Sequence, residues 1–296
     1  MKKTFRFLCV LGLLLGSASQ AHATRIQFYG LDDDVGDAKA NLRLDSNVAL
    51  IYDEKSGKSL YHKNDKLVSP IASISKLMTA MVVLDAKLSM NDTVSIDRAD
   101  VDRLKGTRSR LELGMRFTRA ELMKLALMSS ENRAAAALAR TYPGGRKAAI
   151  AAMNAKAKAL GMRDTHFRDP TGLNSDNVST ARDLVKMVAA ARQYGLIRKY
   201  TTTASHDVDR KKGPDLHYHN TNPLVRSASW DIGVSKTGFI SEAGRCLVME
   251  ARINKRPVII VLLDSWRKAA RIDDARRIKN WMEVDSGAPK AKSRRS

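Results

Sequence analysis

The chain has 296 residues, of which 44% are hydrophobic and 28% are charged, a composition that is ordinary for a globular protein. This length suits one large domain or two closely packed subdomains with a sizeable core, which excludes a small module that depends on disulfides. Lysine and arginine number 52 against 31 aspartates and glutamates, and the resulting charge of +21 favours polyanions such as nucleic acid, anionic lipid or cell-wall polymer.

The first 23 residues have the organisation of a secretory signal peptide. A positively charged start containing Lys2, Lys3 and Arg6 precedes an apolar run over residues 7–15. Small and polar residues follow and end in Ala21-His22-Ala23, which matches an A-x-A cleavage site. The apolar run is far shorter than the roughly 20 residues that span a bilayer. We therefore expect export across the inner membrane, with a mature chain that starts near residue 24.

Export changes which partners the basic charge favours. Removal of the three positive residues lowers the formal charge of +21 by three, to +18. A secreted protein rarely meets the genome, so we expect no nucleic-acid partner and, instead, loose association with anionic membrane or wall. Cys246 is the one cysteine left in the mature chain, and its apolar neighbours favour a buried small side chain over a reactive thiol.

The mature chain begins with a polar N-terminal arm over residues 24–45, followed by a β-hairpin. Residues 48–52 and 59–61 are strand-like and flank a turn at residues 55–58. Pro70 then precedes a helical pattern, in which apolar residues recur at positions 74, 77, 78, 81 and 82. Ser73 therefore falls at or near the start of this helix.

A block of helices occupies the middle of the chain. The predicted helices cover residues 122–128, 132–140, 146–160 and 180–195. Thr118 and Glu121 form a capping box before the first of them, Gly161 ends the third, and Thr180 stands where the last needs an N-cap.

The pattern changes to strands near the C-terminal end. Predicted strands cover residues 232–236, 245–252 and 257–263, a closing helix covers 267–283, and a basic tail covers 286–296. Because strands bracket the helices, we predict an α/β (α+β) fold with an antiparallel sheet built from both chain ends and flanked by helices. One domain would then cover residues 46–285, with a helical subdomain inserted at about residues 90–200.

Three short motifs carry the chemistry. They are Ser73-Ile74-Ser75-Lys76, Ser130-Glu131-Asn132 and Lys236-Thr237-Gly238. Each is weak alone, whereas all three in this order, at a helix start, a helix junction and a strand end, indicate a nucleophilic serine enzyme.

The spacing of the first motif explains how the serine is activated. Ser73 and Lys76 lie three residues apart on one helix face, so the lysine amine can serve as the base that a serine nucleophile needs. This requires a lowered pKa, for which partial burial and the neighbouring charge of Lys236 are the candidate causes. The helix N-terminus also favours developing negative charge. Gly238 would let a substrate backbone approach the strand closely.

Each motif taken alone has a simpler explanation. Ser73 and Ser130 could be ordinary helix caps, Lys76 a solvated lysine, and the third motif a strand end followed by a turn. His217 and His219 form a short pair without a third ligand, which favours a strand face over a metal site. We therefore predict no metal and no cofactor.

On these motifs the chain resembles the low-molecular-mass penicillin-binding proteins, the serine D-Ala-D-Ala peptidases, from about residue 48 to the last helix. Residues 169–174 and 178–183 also resemble that family's segments between the second and third motifs. Phe239 follows the third motif, where the carboxypeptidase branch commonly has histidine. The chain is therefore most similar to the D-alanyl-D-alanine endopeptidase type, penicillin-binding proteins 7 and 8, and the resemblance implies a periplasmic enzyme of the β-lactamase/transpeptidase-like fold.

The resemblance also implies a role for each residue of the motifs. Ser73 attacks a D-alanyl carbonyl of a peptidoglycan stem and forms an acyl-enzyme, with Lys76 as general base. Ser130 relays a proton to the leaving amine, and Asn132 holds the substrate amide. The substrate-binding residues are Lys236, Thr237, Gly238 and Phe239. The backbone N–H groups of Ser73 and Phe239 form the oxyanion hole, and β-lactams trap Ser73 covalently.

Other functions remain open from the residues alone. A carboxypeptidase needs a cation for a terminal carboxylate, and Arg245 is a candidate for that group. A class A β-lactamase needs a glutamate in an E-x-x-L-N loop, and residues 169–174 occupy a similar place without it, so we expect slow β-lactam turnover. An inactive wall-binding protein with the same fold is a further alternative.

Overall fold

The computed structural model describes residues 42–210 and 213–285. The predicted signal peptide, most of the N-terminal arm and the basic tail lie outside the described residues. Residues 42–45 of the arm are described, and both Leu42 and Leu44 are buried. Within these ranges no helix is both long and apolar enough to cross a membrane.

The strands and helices follow the chain order that the sequence predicts. The strands are β1 (Val48–Asp53), β2 (Lys58–Lys63), β3 (Ser69–Pro70), β4 (Thr93–Ser95), β5 (Arg116–Thr118), β6 (Val178–Ser179), β7 (Ser205–Val208), β8 (Leu216–His219), β9 (Asp231–Ile240), β10 (Gly244–Ile253) and β11 (Arg256–Ser265). The α-helices are α1 (Lys76–Asp85), α2 (Arg119–Met128), α3 (Asn132–Arg140), α4 (Gly145–Ala159), α5 (Ala181–Ala191), α6 (Gly195–Thr201) and α7 (Ala270–Asp285).

The main sheet has five strands in the order β2-β1-β11-β10-β9. Every neighbouring pair is antiparallel, and β1 from the N-terminal part lies beside β11 from the C-terminal part. The predicted antiparallel sheet built from both chain ends is therefore confirmed. Strand β9 is an edge of this sheet, which leaves its outer side open to other elements.

Two hydrophobic clusters cover the two faces of the sheet. Strand β1 is buried along its whole length, and its side chains alternate between them. Leu50 packs into the larger cluster with α1 and the central helices, whereas Ile51 packs into the smaller one with α7. Because α1 is enclosed in the larger cluster, the residues at its N-terminus are held in place from several sides.

Local sequence signals correctly indicate one helix cap and one hairpin turn. Thr118 and Glu121 form the predicted capping box at the start of α2, with both reciprocal hydrogen bonds present. Asn254 and Lys255 form the β10–β11 turn with φ values of 48° and 62°, a left-handed pair that suits a two-residue hairpin.

Two element predictions were wrong. The helix predicted over residues 180–195 ends at Ala191, and Gly195 starts α6 because Ile197 and Tyr200 supply a second buried face. The third motif does not end its strand, since β9 continues to Ile240 in register with β10. Ser73 lies near the start of the helix as predicted, in a 3-10 turn over Ala72–Ser75 that leads directly into α1.

Candidate active site

The turn that carries Ser73 packs tightly against a neighbouring loop. Ala72 has a φ of 47°, and Ser73 is only 9% exposed. Gly172, with a φ of 81°, lies so close that a Cβ added there would stand 1.9 Å from the carbonyl oxygen of Ala72. The loop around Gly172 therefore fixes the position of the serine from outside its own helix.

Lys76 makes three hydrogen bonds that connect the parts of the site around Ser73. It is 1% exposed, and its Nζ donates to Ser73 Oγ at 2.8 Å, to Asn132 Oδ1 at 2.7 Å and to the carbonyl oxygen of Thr171 at 2.6 Å. Burial lowers the pKa of Lys76 to about 8, although the negative charges of Asp169 and Glu131 act in the opposite direction. A lysine with this pKa can exchange a proton with the serine near neutral pH.

The second motif lies at the junction of α2 and α3. Ser130 has a φ of 62°, a left-handed conformation that turns the chain between the two helices. Glu131 then caps α3 by accepting from the N–H of Arg133. Asn132 accepts from Lys76 and donates through Nδ2 to Thr107 Oγ1 at 2.9 Å, so both ends of its amide are fixed.

The third motif brings a second buried lysine to the site from β9. Lys236 is 1% exposed and donates to Ser130 Oγ at 2.9 Å and to the carbonyl oxygen of Thr237 at 2.8 Å. Burial, together with the positive charges of Lys76 and Arg271, lowers the pKa of Lys236 well below its usual range. The two lysines therefore titrate as a coupled pair.

This arrangement revises one expectation about the electrostatics. Burial, one of the two expected causes, is the main cause of the lowered pKa of Lys76, and the repulsion between the two lysines contributes to the lowered pKa of Lys236. The carboxylates of Asp169 and Glu131 favour the protonated form of Lys76, whereas the charged groups that act on Lys236 are cations and disfavour its protonated form.

Packing within the protein requires a glycine at position 238, independently of the expected approach of a substrate backbone. A Cβ at this position would stand 3.0 Å from Ala72 Cβ, from the carbonyl oxygen of Ile71 and from the backbone nitrogen of Ser73. The close approach is thus made by the serine turn itself. Strand β9 and the backbone N–H of Ser73 are held together because this residue has no side chain.

Arg271 and Thr221 support the third motif and were missed by the sequence reasoning. The Nη1 of Arg271 donates to the carbonyl oxygens of Gly238, at 2.8 Å, and Cys246, at 3.2 Å. Thr237 Oγ1 donates to Thr221 Oγ1 at 2.6 Å. Neither residue belongs to a short motif, so no local pattern could have identified it.

The loop over residues 169–177 closes the site opposite β9. The carboxylate of Asp169 accepts from the hydroxyl and the N–H of Thr171 and from the N–H of Gly172. These bonds within the loop stabilise its conformation. Asn177 is fully buried and donates to Ser75 Oγ at 2.9 Å, and its Oδ1 accepts from the N–H of Arg168 at 2.7 Å. This asparagine, also missed from sequence, ties the loop to the serine turn.

Phe239 and Arg245 lie together at the exposed end of the motif. Phe239 is 53% exposed, and the guanidinium of Arg245 stacks over its ring at 4.5 Å. In the residues described, His217 lies on β8 and pairs with Asp207, and no group of three or more His, Cys, Asp or Glu side chains is arranged to hold a metal. The thiol of Cys246 is buried, which raises its pKa to about 11.

The structure thus places the predicted catalytic residues in two hydrogen-bonded groups, one around each buried lysine. Ser73 and Asn132 both contact Lys76, while Ser130 contacts Lys236. A serine hydroxyl beside a lysine of lowered pKa can attack a carbonyl carbon, and a second lysine–serine pair can move a proton to a leaving group. This is the chemistry of acyl transfer without a metal ion.

Comparisons with known proteins agree with this geometry. The family model of peptidase S11, D-alanyl-D-alanine carboxypeptidase, matches residues 35–266. A D-alanyl-D-alanine endopeptidase of Pseudomonas aeruginosa is 48% identical over 242 residues, which are 81% of this chain and 78% of that protein.

Solved structures are similar over the same region. The Streptomyces K15 DD-transpeptidase superposes with a TM-score of 0.75 at 30% identity, covering 82% of this chain and 99% of that one. Penicillin-binding protein D2 of Listeria monocytogenes, in its ampicillin-bound form, has a TM-score of 0.68 at 31% identity and covers 81% of this chain and 98% of that one.

Proposed function

Since the chain belongs to the peptidase S11 family and is a serine D,D-peptidase, we propose that it is an endopeptidase that hydrolyses D-alanyl cross-links between peptidoglycan stems. The observation that carries the mechanism is the 2.8 Å contact between Lys76 Nζ and Ser73 Oγ in a buried site. The endopeptidase preference is supported by the 48% identity to the Pseudomonas aeruginosa endopeptidase.

Ser73 is the proposed nucleophile and Lys76 its general base. The neutral amine of Lys76 takes the hydroxyl proton as Ser73 Oγ bonds to the D-alanyl carbonyl carbon. When the C–N bond breaks, Ser130 relays a proton to the leaving amine. Ser130 accepts a hydrogen bond from Lys236, which replaces the proton that Ser130 gives to the amine, so the total charge of the lysine pair is unchanged by acylation. In deacylation, water adds to the acyl carbon and its proton returns through Ser130 to Lys236, while Lys76 gives its proton back to Ser73 Oγ as the ester bond breaks.

The tetrahedral oxyanion would lie between Ser73 and β9. The proposed donors are the backbone N–H groups of Ser73 and Phe239, and the tight packing of Gly238 on the serine turn supports this pairing. Loss of one such donor typically slows acyl transfer by about 10²–10³. Lys236 and Thr237 would orient the substrate from the same strand, and Asn132 would hold its amide.

A carboxypeptidase must bind a terminal carboxylate with a cation. The guanidinium of Arg271 is engaged with two backbone carbonyls, whereas Arg245, which stacks over Phe239, keeps its N–H donors. The family description also names carboxypeptidases, which makes that activity the second candidate. β-Lactams would acylate Ser73 in either case, with slow release because the carboxylate of Asp169 is used within its own loop.

The location of the enzyme completes the proposal. Removal of residues 1–23 on export would deliver a peptidase domain of residues 46–285, with its helical insert at about 90–200, to the periplasm, where it would take part in cell-wall biogenesis and cell shape. The basic surface would favour loose association with anionic wall polymer or membrane.

Digestion of purified peptidoglycan tests the proposal directly. The mature protein should convert cross-linked muropeptide dimers to monomers, as measured by mass spectrometry, and a Ser73→Ala variant should leave the dimers intact. Persistence of dimers together with loss of one D-alanine from pentapeptides would instead establish the carboxypeptidase. No change in either would refute both activities.

A further inference from the structure

Asp102 and Thr107 form a hydrogen-bonded pair beside the second motif. The hydroxyl of Thr107 donates to Asp102 Oδ2 at 2.7 Å, and the backbone N–H of Thr107 donates to the same oxygen at 2.8 Å. The Oδ1 of Asp102 accepts from the N–H groups of Leu104 and Lys105. Partial burial raises the pKa of the Asp102 carboxyl, but these hydrogen bonds outweigh it, so the pKa is lowered. The carboxylate is therefore ionised at neutral pH.

The charge of Asp102 determines how the hydroxyl of Thr107 can bond. Because an ionised carboxylate has no proton to donate, Thr107 must supply the proton of their hydrogen bond. The hydroxyl oxygen then offers only lone pairs, which can meet a donor but not a second acceptor. Asn132 presents a donor, since its Nδ2 lies 2.9 Å from Thr107 Oγ1. Its Oδ1 consequently faces Lys76, from which it accepts at 2.7 Å.

The orientation of this amide matters once Lys76 has lost its proton. The protonated amine donates to Ser73 Oγ, to Asn132 Oδ1 and to the carbonyl oxygen of Thr171. The neutral amine keeps two N–H groups and gains a lone pair. When Asn132 and Thr171 accept the two N–H groups, the lone pair points at Ser73, as a general base requires. With Oδ1 and Nδ2 exchanged, the Asn132 amide would donate to the lone pair, and no base would face the serine.

We propose that Asp102 and Thr107 are positioning residues that hold the Asn132 amide in its productive orientation. In the exchanged orientation, Asn132 Oδ1 would face the oxygen of Thr107, which places two acceptors together without a proton between them. The pair thus acts on the base through Asn132 and not on the substrate. This inference rests on the proposed function, in which Lys76 is the general base, and adds the residues that orient it.

The segment that carries Thr107 is also anchored at other points. Ser109 Oγ donates to Glu131 Oε1 at 2.6 Å, and Arg133 Nη1 donates to the carbonyl oxygen of Leu111 at 2.6 Å. Thr107 itself is exposed. The substitution Thr107→Val, which replaces the hydroxyl with a methyl group of similar size, should therefore leave the segment in place.

The pH profile of acylation by a fluorescent penicillin tests the proposal. In Thr107→Val the exchanged amide becomes accessible, but only while Lys76 is neutral, because the protonated amine needs Oδ1 as an acceptor. Loss of one hydrogen-bonding constraint should favour the exchanged form by about tenfold. The rate above about pH 9 should then fall by about tenfold, and the midpoint of the profile, about pH 8 in the native enzyme, should fall by about one unit. Below about pH 6.5 the rate should stay within about twofold of the native rate.

This combination distinguishes positioning from a general loss of structure. The charged side chains that act on Lys76 or are acted on by it are Asp169 in the loop opposite β9, Glu131 at the α2–α3 junction and Lys236 on β9. All three are the same in Thr107→Val and in the native enzyme. Loss of folded enzyme would lower the rate by the same factor at every pH and would leave the midpoint unchanged.

Two further variants serve as controls. Thr107→Ser keeps a hydroxyl for Asp102 and should restore the native midpoint and the native rate to within about twofold. Thr93→Val, at an exposed threonine of β4, makes the same substitution away from the site and should keep the native profile. A native profile in Thr107→Val, or equal slowing at every pH, would overturn the inference. A native enzyme that is not acylated, or whose profile is flat, would instead refute the proposed mechanism, and this inference with it.

Discussion

The packing of the Gly172 loop on the serine turn predicts that Gly172→Ala will impair both stability and catalysis. A new Cβ would stand 1.9 Å from the carbonyl oxygen of Ala72, much closer than any van der Waals contact, so one of the two backbones must shift by roughly 1 Å or more. Gly114 provides a matched control. Its φ of 83° equals that of Gly172 within a few degrees, yet nothing lies within 4 Å of its added Cβ.

The difference between the two variants isolates the clash. Alanine in a left-handed conformation costs about 1–2 kcal/mol at either position. The overpacking at Gly172 should add about 1–3 kcal/mol. A displacement of about 1 Å next to Ser73 should also slow acylation by about 100-fold, because such a misplacement near reacting atoms typically has this effect.

Urea unfolding and the rate of acylation by a fluorescent penicillin measure these two effects. Gly114→Ala should lose only the conformational part of the stability and should acylate at the native rate. If the two variants are equally stable and acylate equally fast, the Gly172 loop does not fix the position of Ser73, and the reasoning is refuted.

Three further predictions concern buried side chains. Acylation should rise about fivefold from pH 7 to pH 8 and about twofold more before it levels off, because burial lowers the pKa of Lys76 to about 8 and only its neutral amine accepts a proton; a flat profile contradicts this. Asn177→Ala should lower the unfolding free energy in urea by about 3 kcal/mol, since its buried amide makes four hydrogen bonds, whereas exposed Asn91→Ala should change it by less than about 0.5 kcal/mol. Cys246 should resist a thiol reagent in the folded protein and react once unfolded, because burial raises its pKa to about 11; labelling of the native state would be inconsistent with that burial.

The fold could be predicted well where local chemistry determines the structure. The capping box of Thr118 and Glu121 and the nearly continuous apolar runs of β1, β10 and β11 are local signals, and the order of these elements follows from them. Predictions failed where a tertiary contact overrides the local pattern. The polar residues of the third motif hide the continuation of β9, which depends on pairing with β10.

The site residues also divide into those that a local motif indicates and those that only tertiary contacts reveal. The sequence identified Ser73, Lys76 and Lys236 because their motifs are short and ordered. It could not identify Asn177 or Arg271, since each acts through contacts with residues distant in sequence: the bond from Asn177 reaches back to Ser75, and Arg271 supports the backbone of β9. Such positioning residues become visible once the chain is folded.

Mass spectrometry of the protein after reaction with a penicillin tests the central claim most directly. The account predicts a single covalent adduct on the peptide that contains Ser73, its loss in Ser73→Ala, and its retention in Ser75→Ala, a neighbouring serine whose hydroxyl donates to the carbonyl oxygen of Ala72. An adduct on any other residue, or one that persists in Ser73→Ala, would contradict the assignment of Ser73 as the nucleophile.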